Sequence, residues 1–227
     1  MTTEQPPVTP LPTPPEAREL LLFGGLFDPP HWAHVELAIA ARDAAMGPEA
    51  WLVYVPAAAS PHKPGGAVAS APDRLAMLQL AIEGRARTAI WTDELDRAGP
   101  SYWVDTLRRA RGACDAQTEI RFLIGADQAV AFHRWRAFRE ILTLAAPVVM
   151  LREPAPTVER LRALLRETGA WSREEIEAWV SWTVGRAALS MSSTQVRESV
   201  GAGFDDEALD DRVRDYIASH GLYSERP

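Results

Sequence analysis

A chain of 227 residues with 47% hydrophobic and 24% charged side chains is long enough for one large α/β domain with a packed core. Its net charge of −7 argues against unspecific binding along a nucleic-acid backbone, which relies on Lys and Arg to neutralise phosphates. Cys114 is the only cysteine, so neither an internal disulfide nor a cysteine-based zinc cluster is expected, and a reducing cytoplasm is the simplest setting. No apolar run reaches the roughly 18 residues of a bilayer span, so no membrane partner is expected.

Residues 1–17 hold six prolines, without a basic or apolar leader pattern. They are expected to form a disordered, partly polyproline tail, with one domain over 18–227. The run Glu19–Phe23 predicts a buried strand, Ala33–Ala45 a helix, and Trp51–Val55 a second strand ended by Pro56. Pro72–Glu83 predicts a helix with proline in its first turn beside Asp73. Thr88–Thr92 is a weaker strand, Tyr102–Arg111 a helix, Glu119–Ile124 a strand, Gln128–Leu142 mostly helix, and Pro147–Leu151 the last clear strand. Helix without a readable motif is expected over Thr157–Trp182, and a helical C-terminal portion over Thr194–Val200 and Ala208–Ser219. Strand–helix alternation implies an α/β fold, a doubly wound parallel sheet with helices on both faces. Such sheets bind ligands beyond the carboxyl ends of their strands.

The segment Gly24-Gly25-Leu26-Phe27-Asp28-Pro29-Pro30-His31-Trp32-Ala33-His34 follows the first strand and opens a helix. Two glycines let backbone approach a ligand, and a new helix turns unpaired N–H groups toward an anion. His31 and His34, three apart, can both face phosphate oxygens. After the second strand, Val55-Pro56-Ala57-Ala58-Ala59-Ser60-Pro61-His62-Lys63 places a mobile cation, Lys63, at the same end of the sheet. Further on come Arg97-Ala98-Gly99-Pro100-Ser101-Tyr102-Trp103-Val104-Asp105-Thr106-Leu107, then Gly125-Ala126-Asp127 with Phe132 and Trp135, and Met191-Ser192-Ser193-Thr194-Gln195-Val196-Arg197. In the last of these, Ser193 or Thr194 can cap a helix, and Arg197 adds a rigid cationic fork one turn in.

These five segments, in this order between about Leu20 and Tyr223, resemble the bacterial nicotinate/nicotinamide mononucleotide adenylyltransferase family. That family lies among the nucleotidyltransferases with a His-x-Gly-His signature. Two departures stand out: Ala33 where glycine is usual, and Trp103 where threonine is usual. The resemblance implies a Rossmann-like nucleotidyltransferase fold over 18–227 and the transfer of AMP from ATP to nicotinate mononucleotide, in NAD synthesis. It implies that Gly24, Gly25, Phe27, Gly125, Asp127, Ser192, Ser193 and Thr194 bind ATP, with Asp127 accepting ribose hydroxyls. Ser101, Tyr102, Trp103 and Val104 hold the pyridine and its carboxylate, partly by helix-start N–H groups, and Trp135 stacks on the ring. By the same resemblance, His34 is expected to meet the α-phosphate, and His31, Lys63, Ser192 and Arg197 the β- and γ-phosphates. Mg²⁺ is expected on the ATP phosphates and not in a protein cage. A homo-oligomer is compatible with the sequence. Pantetheine-phosphate adenylyltransferases and cytidylyltransferases share the first segment and part of the fifth, but neither explains Gly-Pro-Ser-Tyr or Gly-Ala-Asp with Phe-x-x-Trp. A non-catalytic nucleotide-binding regulator would be expected to lack some of the His and Arg residues present here.

Overall fold

The computed structural model describes residues 8–59, 66–97, 99–186, 194, 196–197 and 208–224. Its centre is a parallel sheet of β1 (Glu19–Gly25), β2 (Trp51–Pro56), β3 (Thr88–Ile90), β4 (Glu119–Gly125), β5 (Ala146–Leu151) and β6 (Thr183–Arg186), in the order β3-β2-β1-β4-β5-β6. Parallel strands covered on both faces read as unbroken apolar runs. Leu20, Leu21 and Leu22 show why: all three are buried, Leu20 and Leu22 facing one core and Leu21 the other. On one face, α4 (Trp103–Ala113), α5 (Ala126–Ala131), α6 (Phe138–Leu144), α7 (Val158–Glu167) and α8 (Arg173–Ser181) supply Val104, Leu107, Ala129, Ile141, Leu161 and Trp179. On the other, α1 (Ala38–Ala45), α2 (Ala71–Ile82) and α9 (Asp211–Ser219) supply Ala38, Met77, Val213 and Ile217. A short α3 (Asp93–Asp96) precedes α4. Among the described residues no helix is long and apolar enough to cross a membrane.

The strand order reverses between β1 and β4, which lie side by side with Leu22 opposite Phe122. The crevice beyond their carboxyl ends is therefore the topological switch point where such sheets bind ligands. Gly24–Gly25 ends β1 and Gly125 ends β4, so two of the five segments meet there by topology alone.

Several elements differ from the sequence expectation. The helix over Ala33–Ala45 opens with a π turn, Ala33–Leu37, whose His34 carbonyl accepts a hydrogen bond from the Tyr54 hydroxyl at 3.0 Å. Helix over Gln128–Leu142 is broken: a 3₁₀ turn, Phe132–Arg134, buries Phe132, and the chain restarts through Ala137 at φ 52°. Strand β6 and helix α3 were not expected; four residues apiece are too short for periodicity to register. Nor is the proline-rich stretch wholly a tail. From Val8 to Ala17 it lies on the body, with Leu11 and Ala17 against the first core and the Thr9 carbonyl accepting from the buried Trp91 indole at 2.8 Å. Of the expected helix over Thr194–Val200, Thr194, Val196 and Arg197 are described and helical.

Candidate active site at the switch point

The turn after β1 is held tightly. Phe27 takes φ 50°, a left-handed conformation that costs a non-glycine residue on the order of 1 kcal/mol and persists only where surroundings fix it. Arg74, itself buried, donates to the Leu26 carbonyl at 2.7 Å and the Ala57 carbonyl at 2.9 Å, clasping this turn to the loop after β2. Asp28, also buried, accepts from the Val68 and Ala69 amides at 2.6 and 3.1 Å and from the Tyr223 hydroxyl at 2.6 Å. Burial, followed by the Asp28 bond and charge, raises the Tyr223 phenol far above its ordinary range, so it stays a donor.

His31 and His34 stack at 3.8 Å between ring centres. The His31 amide donates to His34 Nδ1 at 3.3 Å, which makes Nδ1 an acceptor and leaves Nε2 to carry the proton of the neutral ring. His34 is half-buried against Phe23 and Phe27. His31 is buried, so of the two expected phosphate contacts it is the less accessible. Arg197, 169 residues from Asp28, donates to the Asp28 carbonyl at 2.5 Å and to Thr194 Oγ1 at 3.2 Å. The first and fifth segments thus meet at the end of β1. Lys63, Ser192 and Ser193 lie outside the described residues.

At the end of β4, Asp127 pairs with Arg152 at 2.7 Å and accepts from Gln128 at 3.1 Å. Burial pushes its carboxyl up, but the Arg152 bond and charge outweigh this and hold it below the ordinary carboxylate value. Arg152 rests on Gly125, where an added Cβ would fall 2.2 Å from its Nε and displace the guanidinium from this position. Across β1, Trp103 covers Gly24 in the same way, its Cζ3 2.6 Å from where a Cβ would stand. The Trp103 indole nitrogen is buried with no hydrogen-bond partner among the described residues.

Trp103 opens α4, and Tyr102 before it contributes no side-chain cap. Val104 is buried, and its side chain belongs to the first core. Ser101 is engaged elsewhere: its hydroxyl accepts from the Ala58 amide at 3.2 Å and its amide donates to the Ala59 carbonyl at 3.2 Å. It therefore couples the third segment to the loop leading to Lys63. Trp135 is half-buried, tilted on Phe132 at 4.9 Å, in a chain of rings that runs through Phe122 to Trp103.

Residues 22–199 match the family model described as Cytidylyltransferase-like. A protein of Geobacillus kaustophilus (strain HTA426) named "Probable nicotinate-nucleotide adenylyltransferase" is 34% identical over 206 residues, covering 90% of this chain and 86% of its own. One of the same name from Stenotrophomonas maltophilia (strain K279a) is 35% identical over 219 residues, covering 89% and 96%. The chain belongs to the nicotinate-nucleotide adenylyltransferase family. The solved structure of the Plasmodium falciparum nicotinic acid mononucleotide adenylyltransferase complexed with NaAD superposes with a TM-score of 0.69 over 91% of this chain and 97% of that one. At 16% identity this likeness speaks for the fold.

Four further residues border the candidate site without a local sequence signal. Arg74, Arg152 and Tyr223 act over long sequence separations on Ala57, Asp127 and Asp28, and no local spacing announces such pairs. Arg136, whose guanidinium lies 4.6 Å from the Tyr102 ring centre, sits one residue beyond Trp135 and brings a cation to the third segment.

Proposed function

We propose that this protein transfers the AMP part of ATP to the phosphate of nicotinate mononucleotide, releasing pyrophosphate and forming nicotinate adenine dinucleotide. A phosphate oxygen of the mononucleotide bonds to the α-phosphorus. The bond from that phosphorus to the bridging oxygen breaks, and pyrophosphate leaves with the electron pair. The nucleophile is already ionised, so the chain need not supply one. Its work is alignment and charge stabilisation. The observation that carries the reading is the meeting of Arg197 with the Asp28 turn beside the His31–His34 stack, at the mouth of β1. There His34 Nε2 donates to the α-phosphate and Arg197 holds the β- and γ-phosphates, a task that His31, Lys63 and Ser192 share.

Asp127, kept ionised by Arg152, accepts ribose hydroxyls. Trp135 stacks on the pyridine, and the first N–H groups of α4 meet the nicotinate carboxylate. Among the described residues no group of three or more His, Cys, Asp or Glu could hold a metal ion. Histidine and arginine line this turn, which fits Mg²⁺ arriving on the triphosphate and held by its oxygens. When bound, it neutralises phosphate charge.

The test is purified protein with ATP, Mg²⁺ and either nicotinate or nicotinamide mononucleotide, following pyrophosphate. Turnover with nicotinate mononucleotide, dependent on a divalent cation and faster than with the nicotinamide form, is expected. Faster turnover of pantetheine phosphate, or of a CTP-dependent substrate, refutes the assignment.

A further inference from the structure

The last described turn of the chain reaches back to the turn after β1. After α9, Gly221 takes φ 59° and Tyr223 φ 60°, so the chain folds back and delivers a phenol to Asp28 across 195 residues. Two non-glycine residues in left-handed conformation, Phe27 and Tyr223, thus flank one buried carboxylate. Its two oxygens divide their partners. Oδ1 takes Tyr223 and the Ala69 amide; Oδ2 takes the Val68 amide and faces Arg197 Nη1 at 3.8 Å. The same Arg197 nitrogen donates to the Asp28 backbone carbonyl. Rotation of the Asp28 carboxylate therefore alters the ground on which Arg197 stands.

The geometry points to Tyr223 as a positioning residue for nucleotidyl transfer: its hydroxyl locks the Asp28 carboxylate and, through it, the turn from which Arg197 is aimed. This inference rests on the reading of Arg197 as a triphosphate ligand. Without the phenol, Asp28 Oδ1 keeps one amide donor and is free to swing toward Arg197. Closing the 3.8 Å ion pair with Arg197 in that way would withdraw the guanidinium from the phosphates. The α9 region would then serve catalysis as well as packing, since Val213 and Ile217 fix the helix in the second core while Tyr223 carries the lock.

Steady-state kinetics of Tyr223→Phe, Arg197→Ala and the double variant test this, with Tyr216→Phe as a control. Tyr216 also donates from the C-terminal region, to Asp73 on α2 at 3.0 Å, but lies outside the turn. Tyr223→Phe should lower kcat/KM for ATP roughly 10-fold, the scale of one hydrogen bond to a charged group. KM for the mononucleotide should stay near wild type, and Tyr216→Phe should leave both unchanged. In the Arg197→Ala background the Tyr223 change should add little, because residues acting through one another are non-additive. Full additivity, or a Tyr223→Phe enzyme with intact ATP kinetics beside an impaired Arg197→Ala, overturns the inference alone. Intact ATP kinetics in Arg197→Ala overturns the phosphate reading as well.

Discussion

His34 owes its chemistry to one backbone contact. With Nδ1 occupied by the His31 amide, the neutral ring has a single donor, Nε2, and the stack on His31 limits its rotation. His34→Ala should therefore lower kcat on the order of 100-fold or more, as loss of one preorganised transition-state donor does. The melting temperature should move little, since the ring is half-buried; near-normal kcat would mean the phosphates lie elsewhere. Trp103 poses a different problem at the same scale. Its ring occupies the space above Gly24, and its buried N–H lacks a partner among the described residues, which costs about 1–3 kcal/mol. Gly24→Ala should drive a methyl into this ring and destabilise by roughly 1–3 kcal/mol, as overpacking does. Thermal melts of Gly24→Ala with and without Trp103→Thr should show the loss only while the tryptophan is present. Additive losses would mean that the contact is not the cause. The preference for nicotinate should survive Trp103→Thr, because it is assigned to backbone donors; competition between the two mononucleotides measures it.

Elements in this fold are pinned by buried charge as well as by apolar contact. Between α3 and α4, Glu94 and Thr106 are buried against each other; Thr106 hydrogen-bonds Glu94 and accepts from Arg97 at 2.5 Å, while Arg109 grips Asp93 at 2.6 Å. Burial pushes the Glu94 carboxyl up, and the Thr106 bond and Arg97 charge work against it. The third segment is thus tied through Arg97 to α3 and α4 and through Ser101 to the loop after β2. Thr106→Val keeps the volume but removes the shared hydroxyl, leaving a buried carboxylate short of a partner at a cost of about 1–3 kcal/mol. For a chain of this size each kcal/mol is worth roughly 2–4 °C. The variant should melt lower and show a raised KM for the mononucleotide with KM for ATP nearly unchanged. A lower melting point with both KM values intact would show that the network supports the fold without setting the third segment.

At the scale of the whole molecule, what the sequence displayed was whatever repeats locally. LLLF, WLVYV and PVVML announce strands buried on both faces, and the first, second and fourth segments fall at strand ends because a doubly wound sheet places its loops there. What it hid was whatever couples distant residues: Tyr223 on Asp28, Arg152 on Asp127, and Ser101, which reads as a substrate contact but holds Ala58. The N-terminal stretch belongs to the hidden class. Its prolines suggest a solvated tail, yet Thr9 satisfies the Trp91 indole, donates its amide to Asp93 at 3.3 Å and its hydroxyl to Asp96 at 3.0 Å, while Leu11 joins the first core. Asp93 is the carboxylate gripped by Arg109, so the strap ends on the network beneath the third segment. Removing residues 1–17 would strip a fully buried indole of its acceptor and uncover apolar surface, whereas removing a free tail would cost nothing. The truncated protein should be destabilised by about 1–3 kcal/mol for the unpaired donor alone. A melt that falls by several degrees, with a smaller fall for Leu11→Ala in the full chain, supports the strap. Superimposable melts of full-length and truncated protein would return the stretch to a tail.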